Sequence, residues 1–195
     1  MALQNSLVKK PDINSSVIEY DSNGTQVKLS PSIVRNYLVN GNGAVSDQEV
    51  VMFLNLCKAQ RLNPFLREAY LIKFGNNPAS IVTGKEVFTK RARRAKDYAG
   101  HQAGVIVQKS DESIENRIGT LKLPGENIVG GWAKVFVKGY ENHVEIAVSY
   151  DEYVGLKQDG TVNGQWAKKP GTMIRKVALV QALREAFPEE FQGMY

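Results

Sequence analysis

The chain has one cysteine and two histidines in 195 residues, and both shortages exclude chemistry. Cys57 alone cannot close an internal disulfide, and its apolar surroundings mark it as an inert core thiol. His101 and His143 have no companion at metal-site spacing, so each reads as a surface or strand-end residue and no metal site is expected. No apolar run approaches the roughly 20 residues needed to cross a bilayer, and the opening MALQNSLVKKPD lacks the apolar stretch of a secretion signal. A cytoplasmic protein without membrane association is expected. Phosphate-cradling motifs are missing too. TGK at 83–85 has Ala79 where a P-loop needs glycine, and Lys85 is followed by Glu86 rather than Ser or Thr. With no dinucleotide fingerprint either, no cofactor is expected.

What is present is a globular composition, 43% hydrophobic and 23% charged, with an uneven charge distribution. The net charge is +5. Residues 84–99 carry Lys85, Lys90, Arg91, Arg93, Arg94 and Lys96 against Glu86 and Asp97, and residues 161–184 carry five cations and no acid. The remainder has 14 basic against 18 acidic residues. An acidic body with two basic segments points to a polyanionic partner.

The patterning along the chain is that of an α+β domain. Residues 1–15 are polar and read as a flexible N-terminus, with one folded domain over 16–195. VIEYDSNGTQVKLS (17–30) alternates around Asn23-Gly24 and predicts a hairpin. Ser30 and Pro31 open a helix. Ser46 and Glu49 have capping-box spacing ahead of Val50, Phe53, Leu54 and Cys57, a helix that Pro64 ends at Asn63. AYLIKF (69–74) and SIVT (80–83) read as strands, and TGKEVFTKRARRAKDY (83–98) as a helix continuing to Gly100. Strands follow at 103–109, near 119–123, at 130–139 and at 142–150. In the third, Ala133, Val135 and Val137 share one face, with Trp132, Lys134, Phe136 and Lys138 on the other; Trp132 is placed in the sheet core. A helical turn at 151–155 precedes a final helix over 170–187, with Met173, Val177, Val180, Leu183 and Phe187 at core spacing.

The basic segments supply the candidate site. In the 84–99 helix Phe88, Ala92, Ala95 and Ala99 form a narrow apolar stripe. Cation pairs such as Lys90 and Arg94 repel each other at i, i+4, a cost that a bound anion offsets. Lys85 lies at the strand-to-helix junction, where free backbone N–H groups favour phosphate. Lys85, Lys90, Arg91 and Arg94 are therefore phosphate candidates, while Arg93 and Lys96 read as plain surface. Arg175 and Lys176 lie early in the last helix, against its dipole, and Arg184 lies near its end. Trp166 beside Lys168 and Lys169 could stack a base while the cations hold phosphates; core packing explains Trp166 equally well. Asp151 and Glu152 near Glu145 are the one group from which a two-metal nuclease could be drawn, although a solvated turn and helix start explain them better.

LNPFLREAYLIKF (62–74), IVTGKEVFTKRA (81–92) and QWAKKPGTMIRKVALVQALREAF (165–187), in that order, resemble the phage recombination proteins of the lambda beta (Bet)/RecT type, a family of single-strand annealing proteins. The resemblance spans residues 30–195. The last block carries Trp166, Pro170, Met173, Arg175 and Arg184 onto the family pattern, and Arg67 in the first is a further DNA-binding candidate. The resemblance implies a small antiparallel sheet packed on a long helix, distantly like the Rad52 core, with an N-terminal hairpin and flanking helices. It also implies homo-oligomeric rings or helical filaments that bind single-stranded DNA, pair it with a complementary strand without ATP and hold the duplex in a basic groove. The setting would be the cytoplasm of a phage-infected or lysogenic bacterium. Gly171-Thr172 stands where lambda beta has Lys-Arg, with Lys168 and Lys169 as upstream substitutes. Longer relatives continue past the position of Tyr195 into a domain that recruits an exonuclease and the host single-strand binding protein, so those two partners are not expected of this sequence. A metal-dependent nuclease and a non-annealing nucleic-acid coat protein are the alternatives.

Overall fold

Asn23 and Gly24 both adopt left-handed backbone conformations, φ 56° and 85°, and fold the first strands into the expected hairpin. The computed structural model describes residues 17–157 and 159–194, so the flexible segment expected over 1–15 lies outside the described residues. The chain forms two units, one running to Gly84 and including Met194, the other spanning Lys85–Gly193.

In the first unit, β1 (Ile18–Ser22) and β2 (Thr25–Leu29) are antiparallel and bury Tyr20, Val27 and Leu29 on one face. Ser30 Oγ accepts from the Ile33 N–H and Pro31 opens α1 (Pro31–Ile33), which widens into a π-helical segment over Val34–Leu38. β3 (Val39–Gly41) runs parallel to β4 (Ala69–Lys73), which pairs antiparallel with β5 (Ser80–Thr83). Helix α2 (Asp47–Ala59) has the expected capping box, with Ser46 and Glu49 each bonding the other's backbone N–H. Glu49 also takes Lys73 at 2.8 Å and the Ala79 N–H, and these bonds, Lys73 foremost, lower its carboxyl to about 2. Cys57 is fully buried in α2, and burial raises its thiol to about 12, as an inert core cysteine requires. The helix ends at Ala59 rather than Asn63. Arg61 turns left-handed, φ 50°, and the Leu62 N–H returns to the Cys57 carbonyl, closing the C-terminus before Pro64 acts.

The second unit is built on an antiparallel sheet ordered β7-β6-β8-β9. Its strands are β6 (Tyr98–Gln108), β7 (Ile114–Ile118), β8 (Asn127–Val137) and β9 (Val144–Ser149). After short helices α4 (Tyr150–Tyr153) and α5 (Gly164–Lys168), helix α6 (Pro170–Ala186) packs across β8, β9 and β6. Ala133 lies opposite Ala103 and Ile146, and with Val105 and Val135 it forms a small-residue floor for the helix. Contact is closest at Gly131, where a Cβ would stand 2.7 Å from the Ile174 carbonyl oxygen.

Three expectations are corrected here. The covered face of α6 is Gly171, Ile174, Ala178, Leu179, Ala182 and Leu183; Met173, Val177 and Val180 are only half-buried. Small residues win the sheet side because the helix backbone comes so near. The helix expected over 84–99 stops at Ala92. Tyr98 and Gly100 are instead taken into the ladder opposite Val137 and Phe136, and the Lys138 N–H bonds the Asp97 carbonyl. The short strand expected near 119–123 lies earlier, at Ile114–Ile118. Residues 119–126 turn back, with the Glu126 carboxylate accepting from the Leu123 N–H and from Arg117.

The overall class is mixed α+β with small antiparallel sheets, as the patterning implied. Among the described residues no helix is long and apolar enough to cross a membrane. Gly131→Ala should force α6 from the sheet and lower unfolding stability by about 1–3 kcal/mol, measured by urea denaturation; an unchanged midpoint would contradict the close contact.

Candidate nucleic-acid interface

Helix α3 (Lys85–Ala92) buries Val87, Phe88 and Ala92, and the Phe88 ring lies 5.4 Å from that of Phe191. This anchoring sets its first turn near α6. Within the second unit, α3, α6 and β6 enclose a hollow of about 200 Å³. Lys85, Arg93, Arg175 and Lys176 line it, with Glu86 as its one carboxylate. Thr89, Thr172 and His101 add polar groups, while Phe88, Leu179 and Leu183 supply an apolar lining.

Two of the lining groups are shifted against carrying positive charge. Burial, the largest cause, lowers the Lys176 amine below its ordinary value; Glu86 opposes this and Lys85 adds to it. Burial likewise lowers His101, helped by Arg175 and Arg93, so its imidazole resists a further positive charge. Tyr98 Oη lies 2.5 Å from His101 Nδ1, within the same strand. Arg175 Nε donates to the Ala103 carbonyl at 3.1 Å, which fixes the guanidinium and leaves its terminal nitrogens for other acceptors. Glu86 reaches Lys85 only at 3.7 Å. A phosphate would relieve the crowding of like charge and return hydrogen bonds to partly desolvated donors.

Of the residues singled out in the sequence, the structure gathers Lys85, Arg175 and Lys176 in this hollow. Arg93, read as plain surface, joins them because α3 ends one residue earlier and the chain bends there. Lys90 is exposed on α3, and Arg94 is exposed beyond its end. Arg91 Nη1 donates to the Glu190 carbonyl at 3.2 Å. Lys168, Lys169 and Arg184 are exposed outside the hollow, as is Lys96. Arg67 belongs to the first unit, exposed and left-handed at φ 59°. Trp166 is corrected: at 6% exposure, with its ring edge-on to Tyr150, it is a core residue and offers no face to a base. His101 and Thr172 are the members that sequence reasoning missed. The usable signal for His101 was parity, since it shares the helix-facing side of β6 with Ala103 and Val105.

Asp151, Glu152 and Glu145 do not form a metal cage. Glu145 pairs with Lys134 across the ladder and with His143, while Asp151 and Glu152 are exposed on α4. Among the described residues no three His, Cys, Asp or Glu side chains converge.

The His101 environment sets a pH dependence. The unfolded chain binds its proton near pH 6.5, whereas the folded chain resists it. The contribution of neutral His101 is therefore complete above that pH and is lost as pH falls below it. His101→Asn should flatten the decline in melting temperature between about pH 7 and about pH 5.5; an unchanged decline would assign it to another group.

A model of the RecT family matches residues 26–195. The chain is also 33% identical over 151 residues to the Uncharacterized protein UU154 of Ureaplasma parvum serovar 3, an alignment covering 77% of this chain and 59% of that protein. The chain thus spans about three-fifths of that relative's length. With the family matched across nearly the whole sequence, the chain belongs to the RecT family, the annealing family that its three ordered blocks resemble.

Proposed function

We propose that this chain binds single-stranded DNA and promotes its ATP-independent pairing with a complementary strand, holding the duplex in a homo-oligomeric ring or filament. The observation that carries the reading is the hollow of the second unit, where four cations and one carboxylate line a space of about 200 Å³, roomy enough to admit a phosphate group. RecT-family membership supports the same reading. Residues 16–195 act together as the DNA-binding domain, with the sheet and α6 as a Rad52-like core. Lys85, Arg93, Arg175 and Lys176 hold phosphate in the hollow. Lys90, Arg91, Arg94, Lys168, Lys169, Arg184 and Arg67 extend the grip along the DNA backbone.

Gripping phosphates rather than base edges makes binding indifferent to sequence and leaves the bases free to test an incoming strand. Watson–Crick pairing then supplies specificity and driving force, about 1.4 kcal/mol per stacked step. No nucleotide-driven motor is needed. Oligomerisation multiplies weak binding per protomer into a durable hold. The work takes place in the cytoplasm of an infected or lysogenic bacterium.

Mixing complementary oligonucleotides without nucleotide and following duplex formation tests this directly. The chain should accelerate pairing above the protein-free rate, and Lys176→Gln should reduce the effect. That variant should also flatten the salt dependence of single-strand binding by about 0.7 in log–log slope for each phosphate it no longer neutralises. No acceleration by the unsubstituted chain would overturn the annealing reading.

A further inference from the structure

The segment Leu62–Ala69 of the first unit spends buried polar groups on holding apolar side chains in solvent. Asn63 and Glu68 are both buried. The Glu68 carboxylate accepts from the Asn63 N–H at 2.9 Å, and Asn63 Oδ1 accepts from the Phe65 N–H at 3.0 Å. The Leu66 and Glu68 N–H groups return to the Asn63 carbonyl, and the Arg67 N–H to that of Pro64. From outside the turn, Tyr20 Oη donates to the Leu62 carbonyl and the Gly84 N–H to that of Glu68. Gly84 also admits the Arg67 carbonyl to 2.7 Å of where a Cβ would sit. At the apex of this locked turn Phe65 is 51% exposed and Leu66 62%, followed by exposed, left-handed Arg67.

A single exposed apolar residue needs no explanation. Two adjacent ones on a turn this constrained, with a non-glycine residue held in left-handed geometry, imply something that covers them. The charge around them narrows the choice. Residues 58–67 contain Lys58, Arg61 and Arg67, all exposed, and no acid. The adjoining Glu68 is buried, its carboxylate turned to the Asn63 backbone. An apolar tip whose charged neighbours along residues 58–67 are all cations suits a partner with flat apolar faces strung on an anionic backbone, which describes a nucleic-acid strand with unpaired bases. An acidic protein groove with an apolar pocket would satisfy the same chemistry, but the single-strand-binding reading above favours the strand.

We propose that Phe65 and Leu66 form a base-stacking tip, with Phe65 lying against an unpaired nucleobase and Arg67 on the adjoining phosphate. The proposal rests on the single-strand-binding reading above and adds to it a non-ionic contact in the other unit. Such a tip would hold consecutive bases apart or in step without reading their edges, since every base offers a π-face.

The test uses the full chain, oligothymidylate and three variants. Phe65→Ala should weaken single-strand binding by at least about fivefold while leaving the salt slope unchanged, because every cation is kept. Phe65→Trp should retain binding, and its exposed indole should be quenched on adding DNA; Trp132 and Trp166 are buried and serve as background. Lys176→Gln, by contrast, should lower the salt slope. Unchanged affinity in Phe65→Ala with no quenching in Phe65→Trp would overturn the stacking tip and leave the annealing reading intact. A Phe65→Ala protein that binds DNA normally but changes its oligomeric size by light scattering would assign the tip to contact between copies and also overturn it. Failure of the unsubstituted chain to bind DNA would remove both readings together.

Discussion

Helix α6 meets its sheet through backbone as much as through side chain. At Gly131 there is no room for a Cβ beside the Ile174 carbonyl, and Ala103, Ala133, Ala178 and Ala182 keep the surrounding surfaces flat. This closeness fixes the height of the helix over β6 and β8. It thereby fixes where the next two residues, Arg175 and Lys176, emerge. Arg175 reaches from that position to the Ala103 carbonyl on β6, so the charged site is anchored on the strand beside the one that makes the packing contact. Any residue larger than glycine at 131 would move the cations along with the core.

The same geometry explains an electrostatic oddity of the helix. Cations in a first turn oppose the helix dipole, yet Arg175 and Lys176 stand near the start of α6 with Lys85 and Arg93 facing them. Burial and like charge together depress Lys176 and His101. Burial is the larger cause at both groups, with neighbouring cations adding to it. Structural ion pairs elsewhere are balanced: Arg117 lies between Glu115 and Glu126, and Lys73 against Glu49.

Much of this was legible in the sequence where local chemistry decides. Asn23-Gly24 fixed the hairpin, Ser46 with Glu49 the start of α2, and Pro170 the start of α6. The two basic segments contain all four cations of the hollow, and the residues singled out there for phosphate include three of them, Lys85, Arg175 and Lys176. Legibility failed where tertiary contact overrode local pattern. The helical spacing of Ala92, Ala95 and Ala99 was real, but pairing with β8 took the backbone from Tyr98 onward. Arg93 is exposed, as its surface reading expected, and also lines the hollow because the chain bends after Ala92. The i, i+4, i+7 run of Met173, Val177 and Val180 is only half-buried, with Gly171, Ala178 and Ala182 sharing the covered face with Ile174, Leu179 and Leu183, because a hydrophobicity pattern does not encode how close a glycine on a strand lets the helix come. Trp166 could be read two ways until Tyr150 was seen against it.

We propose that the α3–α6 hollow is where this chain meets the DNA backbone. Lysine-specific covalent labelling, read by mass spectrometry with and without saturating oligothymidylate, addresses it most directly. The account predicts strong protection of Lys85 and Lys176, with Lys28, paired to Glu19 on the hairpin, labelled as before. Equal labelling of Lys85 and Lys176 in free and DNA-bound chain, with binding confirmed in the same sample, would contradict it.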